Sequence, residues 1–163
     1  MNIKINLLTI DDLLLENIVE DFFSINSIEF EYKKNDYFTE YQFKSNENNI
    51  SFYFREKIKY FRESNLDFFK DTNGLIIIYK KKNFKSLDDI WYNEIEKNKI
   101  KNNIPLLFLE INKNNTQKNN NIISNNFYNL FKYISHSKIT KKNKKMIYQI
   151  FNIFINKLVN LAN

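Results

Sequence analysis

The chain has no cysteine, one glycine, one proline and one histidine in 163 residues. Without cysteine there can be no disulfide, thiolate zinc site, cysteine nucleophile, or prenyl or palmitoyl anchor, and an intracellular compartment is the expectation. With Gly74 as the only glycine, a phosphate-cradling loop that needs two of them cannot be written anywhere along the chain. His136 has no second imidazole to share a metal or complete a proton relay, so it reads as a satisfied or exposed loop residue. No apolar run reaches the roughly 18–20 residues of a spanning helix, and Asn2 stands where myristoylation needs glycine; no direct membrane anchor is expected.

What is present is the composition of a globular protein, 43% apolar and 27% charged, and residues 1–163 read as one domain. A net charge of +6 with 17% aromatic residues could suit nucleic acid, because Lys neutralises phosphate and rings stack on bases. Asn, Lys, Ile, Phe and Tyr are all encoded by A/T-rich codons, however, so their joint excess reflects base composition as much as a selected surface. Nucleic acid is therefore expected as an indirect or weak partner only, and no small-molecule substrate or cofactor is expected.

The order of elements follows from periodicity. Residues 3–8 form an apolar run suited to a strand. Thr9 or Asp11 can cap a helix whose inner face is Leu13, Leu14, Ile18, Val19 and Phe22. Residues 24–37 are mixed; residues 37–43 and 50–54 alternate around the polar stretch 44–49, which has hairpin chemistry. A helix over 56–70 precedes the strand 74–79, a helix from Ser86 to about 98 carries Trp91 and Ile95, and 104–109 is another buried strand. A polar loop over 112–121, a short helix over 123–131, a short strand over 133–135 and a long terminal helix complete βαββαβαβαβα. That alternation predicts an α/β fold with a largely parallel sheet covered on both sides, its ligands binding beyond the strands' carboxyl ends.

Two lysine groups follow such ends: Lys80, Lys81 and Lys82, and a cluster of Lys138, Lys141, Lys142, Lys144 and Lys145. They are expected to share a basic rim that favours an acidic partner, against the plain reading of a solvated face. On the last helix Tyr148, Ile155 and Val159 lie off the main apolar stripe, which makes either a partner-binding face or a deeply buried helix. Glu31 and Lys33, with Asp12 or Asp21 upstream, also match the carboxylates and lysine of a metal-dependent nuclease, a pattern common by chance in charged proteins.

The element order resembles that of Ras-like small GTPases over nearly the whole chain. Residues 68–79, with an aromatic pair and a glycine before a strand, resemble a Rab-type segment; Phe84-Lys-Ser-Leu with Trp91, and Asn103 to Leu109, resemble the next helix and strand. The resemblance implies a three-layer Ras-like G-domain of the P-loop NTPase type, with a mostly parallel six-stranded sheet and one antiparallel hairpin strand. The nucleotide motifs are degenerate. Thr9 and Leu14 stand where the phosphate loop has glycines, Leu15 where it has lysine and Glu16 where it has a metal-binding hydroxyl. Asp11 and Asp12 place negative charge at a helix start, which suits the helix and repels phosphate. The D-x-x-G motif falls on Phe54-Arg-Glu-Lys57, the guanine-reading N-K-x-D on Asn112, Lys113, Asn114 and Asn115, and a trace of the last guanine loop on Ser137 and Lys138.

Within that superfamily, residues 7–20 are similar to the start of the centromere protein M family, pseudo-GTPases whose lost phosphate loop also reads as an acidic pair, leucines and an amphipathic helix. This resemblance implies a non-catalytic scaffold of the inner kinetochore, in the nucleus, whose partners are protein subunits resembling centromere proteins H, I and K. A Rab-like component of intraflagellar transport is also similar around residues 70–74 and at His136 and Ser137, which implies instead a GTPase that still binds GTP or GDP.

Overall fold

The computed structural model describes residues 1–25, 27–35, 38–55, 68–98, 100, 102–112, 125–140 and 143–162. The elements in chain order are β1 (Asn2–Leu8), α1 (Asp12–Ile25), β2 (Phe30–Lys34), β3 (Thr39–Ser45), β4 (Asn48–Phe54), β5 (Gly74–Tyr79), α2 (Phe84–Lys97), β6 (Pro105–Asn112), α3 (Asn125–Leu130), β7 (Tyr133–Thr140) and α4 (Lys144–Ala162), with a single 3-10 turn at Lys81–Asn83 before α2. All strands join one sheet in the order β2-β3-β4-β1-β5-β6-β7. The pairs β4/β1, β1/β5, β5/β6 and β6/β7 are parallel, and β3 is antiparallel to both its neighbours. One strand therefore runs against six. The expected single antiparallel strand is present, but the sheet has seven strands rather than six; the additional one, β2, comes from the mixed stretch 24–37.

The buried strands are apolar on both faces because helices cover both, giving three layers. On one face Ile5, Leu7, Ile76, Ile78, Leu107, Leu109 and Ile111 meet α1 and α4; on the other Leu75, Ile77, Leu106 and Phe108 meet Trp91, Ile95 and Phe127 of α2 and α3. Between α1 and α4 the rings are dense: Phe22 stacks on Tyr148 at 5.7 Å and lies 5.3 Å from Phe151. Each such buried phenylalanine stabilises the fold by roughly 1.5–3 kcal/mol. Gly74 lets α4 close onto the sheet, since a Cβ there would stand 2.9 Å from Leu158 Cδ1 and 3.1 Å from Phe154 Cε1. The hairpin of β3 and β4 turns on Asn46 and Glu47, at φ 47° and 67°, both in the left-handed region of a tight two-residue turn.

Several expectations need correction. Leu13, placed on the inner face of α1, is 68% exposed, and Leu15 is buried beside Leu14 in its stead. The partner face proposed on the last helix is core: Ile155 is buried, and Tyr148 and Val159 pack against the same cluster. The exposed apolar residues of α4 are instead Ile153 and Leu161. Helix α2 begins at Phe84, ahead of Ser86, and no side chain of Asn83 caps it. Strand β7 extends to Thr140, well past Ser135, so His136, Ser137 and Lys138 lie within a strand and not in a loop beyond it. Most of the helix expected over 56–70 falls outside the described residues, and its described end, 68–70, is not helical.

Candidate functional site at the carboxyl rim of the sheet

The corner between β1 and α1 is built by Asp11. Its main-chain carbonyl accepts the Leu15 amide at 3.2 Å, which starts the helix, and its carboxylate Oδ1 accepts the Leu14 amide at 3.0 Å. This is an N-cap: the side chain satisfies a donor that the first helical turn cannot satisfy itself. The other carboxylate oxygen, Oδ2, forms an ion pair with Lys80 Nζ from the end of β5. Upstream, Thr9 Oγ1 accepts the Asp11 amide at 3.1 Å, and the Thr9 carbonyl accepts the Trp91 indole N–H at 3.2 Å. A helix N-terminus, with its unpaired amides and positive dipole end, is where an anion would sit. Here a carboxylate of the chain already sits there, with a lysine beside it.

The motif positions agree with that geometry. Leu14 and Leu15 are buried in the core against α4's side of the sheet, so neither can contact a ligand at the rim. Phe54 is likewise core, and Arg55 after it is buried with its guanidinium 5.1 Å from the Phe68 ring. Burial pushes the Arg55 pKa down, and the charge of Glu94 opposes that shift. Asn112 ends β6, opposite Thr140, whereas Lys113 and Asn115 lie outside the described residues. Asp12, on the first turn of α1, and Glu16, at the start of the second, are half-buried. Ser137 and Lys138, read from sequence as one loop, alternate across a strand: Ser137 faces α4 with Ile150 and Phe154, and Lys138 faces the opposite side of the sheet.

The described lysines of the two groups have separate surroundings. Lys80 is held by Asp11 and Lys144 by Asp21, ten residues further along the chain and so roughly 15 Å along α1 at 1.5 Å per residue. Lys138 Nζ lies 3.8 Å from Glu110 Oε2. Lys81, Lys82 and Lys145 are exposed, and Lys141 and Lys142 lie outside the described residues. The nuclease pattern is not assembled either, because Asp21 is engaged by Lys144 and Glu31 and Lys33 lie on the exposed strand β2. Among the described residues no three His, Asp or Glu side chains come together as a metal would require.

A cluster that sequence reading missed joins the ends of three neighbouring strands. Tyr79 of β5 stands opposite Glu110 of β6, and Glu110 stands opposite Lys138 of β7. The Tyr79 hydroxyl lies 2.8 Å from His136 Nε2. Burial, followed by the charge and hydrogen bond of Glu110, raises the Tyr79 pKa above its ordinary value. Burial lowers the His136 pKa; the Glu110 charge opposes this and Lys138 adds to it. The phenol oxygen and Nε2 share one hydrogen bond, and which of the two donates follows the imidazole tautomer. The four side chains thus face one another across the ends of the strands, joined by the Tyr79–His136 hydrogen bond and the looser Lys138–Glu110 ion pair. The signal available in sequence was a polar residue closing each apolar strand: Tyr79 after Leu75-Ile-Ile-Ile78, and Glu110 after Leu106-Leu-Phe-Leu109.

A scan of the chain against protein-family models finds no match, and a search of curated proteins finds no similar sequence. A groove of about 1110 Å³ lies on the polar face of β1 to β4, lined in part by Lys4, Glu40, Gln42, Ser51 and Tyr53. Lys4 Nζ sits 4.6 Å over the Tyr53 ring, and burial with a hydrogen bond to Glu40 raises the Tyr53 pKa.

Proposed function

We propose that the chain is a pseudo-GTPase: a degenerate Ras-like G-domain that acts as a non-catalytic protein-binding subunit of a multiprotein assembly. The observation that carries this reading is the Asp11 carboxylate at the N-terminus of α1, paired with Lys80, in the place where a G-domain would hold phosphate. Placing a nucleotide phosphate there would require removing a cap worth about 0.5–2 kcal/mol and would oppose a second negative charge to it. The sheet gives independent support. With the edge strand β2 set aside, the other six strands, with β3 alone reversed, match the mostly parallel sheet that the resemblance implies. The setting proposed is the inner kinetochore, with partners resembling centromere proteins H, I and K, on the similarity of residues 7–20 to the centromere protein M family.

The nucleotide content of natively purified protein tests the first part. Denaturation and separation of released bases should yield no guanine nucleotide, and titration with labelled GTP and GDP should give no saturable signal. Stoichiometric nucleotide would overturn the pseudo-GTPase reading in favour of a Rab-like protein that still binds GTP or GDP. The cellular setting is tested separately by imaging the tagged chain, which should coincide with centromeres; an exclusively cytoplasmic or ciliary signal would remove the kinetochore assignment.

A further inference from the structure

Strand β2 ends the sheet. It is bonded to β3 on one side and to no other described strand on the other, and all five of its residues are exposed, Phe30 by 45% and Tyr32 by 50%. The phase of its hydrogen bonds can be fixed. Asn35 donates to the Phe38 carbonyl at 3.1 Å, and this pair continues the β2/β3 register in which Phe30 faces Phe43 and Lys34 faces Thr39. Hydrogen-bonded pairs alternate along an antiparallel ladder. Glu31 and Lys33 therefore turn their main-chain groups toward β3, and Phe30, Tyr32 and Lys34 turn theirs to the side of β2 away from β3.

We infer that two copies of the chain join through β2, antiparallel about a two-fold axis at Tyr32, to make one continuous sheet. The outward phase admits registers that pair even positions with even positions. Centring on residue 31 sets Glu31 against Glu31, and centring on residue 33 sets Lys33 against Lys33; both oppose like charges. Centring on Tyr32 places Glu31 opposite Lys33 twice over, in the non-hydrogen-bonded positions where side chains approach most closely. It also sets Phe30 opposite Lys34, a cation over a ring, and makes Tyr32 its own partner. Lysines on an edge strand ordinarily keep other strands away. The register centred on residue 31 also sets Lys33 against the exposed Glu29, but only the one centred on Tyr32 gives both lysines a complementary residue without opposing like charges. The bond that Lys33 Nζ donates to Gln42 Oε1 at 3.2 Å within its own chain must be shared or exchanged for it. This inference is independent of the pseudo-GTPase reading, because β2 lies outside the six strands that support it.

Sedimentation equilibrium of the full chain tests it. The weight-average mass should climb from 19.9 kDa toward twice that value as concentration rises. Glu31→Lys alone and Lys33→Glu alone should each hold at the monomer mass, since each opposes like charges across the axis, and an equimolar mixture of the two should recover the dimer. Tyr32→Pro, which removes an outward N–H and leaves the β3 ladder intact, should also stay monomeric. A wild-type mass that remains at 19.9 kDa up to about 1 mM, where binding is weaker than about 4 kcal/mol, would overturn the inference. So would a wild-type dimer that survives both charge reversals.

Discussion

Asp11 and Lys80 close the β1–α1 corner together: one oxygen of the Asp11 carboxylate accepts the Leu14 amide and the other meets the Lys80 ammonium. The two interactions differ in worth. The cap satisfies an otherwise orphaned amide, whereas the ion pair is about a quarter exposed, with side chains 27% and 26% accessible. Asp11→Ala should therefore lower unfolding free energy by about 1–2 kcal/mol, and Lys80→Ala by about 0–1 kcal/mol. Asp11→Asn, which keeps a capping oxygen, should behave like the lysine variant. Urea denaturation of the three proteins decides, and equal losses from Asp11→Ala and Lys80→Ala would show that the pair, not the cap, holds the corner.

Gly74 serves packing, not a phosphate. A Cβ at that position meets the end of Leu158, so Gly74→Ala should cost about 1–3 kcal/mol by overpacking. Truncating Leu158 to Ala costs on its own account, about 2–5 kcal/mol. The double variant should lose less than the sum, because the new methyl enters the space that leucine leaves. An additive cycle would mean that α4 shifts away from the sheet and does not hold its place against it.

The order of elements was legible because buried strands such as Gly74 to Tyr79 are undivided apolar runs bounded by polar residues. Strand β2 was not legible, since Phe30-Glu-Tyr-Lys-Lys34 is exposed on both faces and carries no burial pattern to read. Strand β7 was read too short for a related reason: seven of its residues are half-buried and only Ile139 is buried, so neither alternation nor an apolar run marks it past Ser135. The Asp11 cap could be anticipated from an acidic residue ahead of a helical pattern. Its partner Lys80 could not, because that pairing depends on β1 and β5 being neighbours in the sheet. The partner face on α4 failed because helical periodicity alone does not report how wide an arc the neighbours cover; α1 reaches Tyr148 through Phe22, and Ile155 is fully enclosed.

The β3–β4 turn holds Glu47 at φ 67°, a region that costs an L side chain about 1–2 kcal/mol and glycine little. Glu47→Gly converts the turn to Asn-Gly, the pair best suited to two successive positive φ values. The variant should be more stable by about 0.5–1 kcal/mol once the added entropy of the unfolded glycine is deducted. Thermal and urea unfolding should both register the gain, and a loss in either would mean that the Glu47 side chain makes a stabilising contact that outweighs its backbone strain.

His136 should make stability depend on pH in a defined direction. Half-buried beside Tyr79 and Lys138, with its desolvation outweighing the opposing charge of Glu110, it has a folded-state pKa below the ordinary value of 6.5. Between the lowered value and 6.5 the unfolded chain binds a proton that the folded chain does not, so unfolding free energy rises with pH across that interval. The stabilising contribution is complete above about pH 6.5 and is lost as pH falls through the folded-state value. Unfolding temperatures measured from pH 7.5 to 5.5 should decline in the wild type and decline less in His136→Gln, which keeps a hydrogen-bonding partner for the Tyr79 hydroxyl and has no proton to gain. Because the chain has one histidine, its imidazole resonance is unambiguous in a proton NMR titration. A midpoint below 6.5 is expected. A midpoint above it would mean that Glu110 outweighs burial, and the pH slope of stability would then reverse its sign.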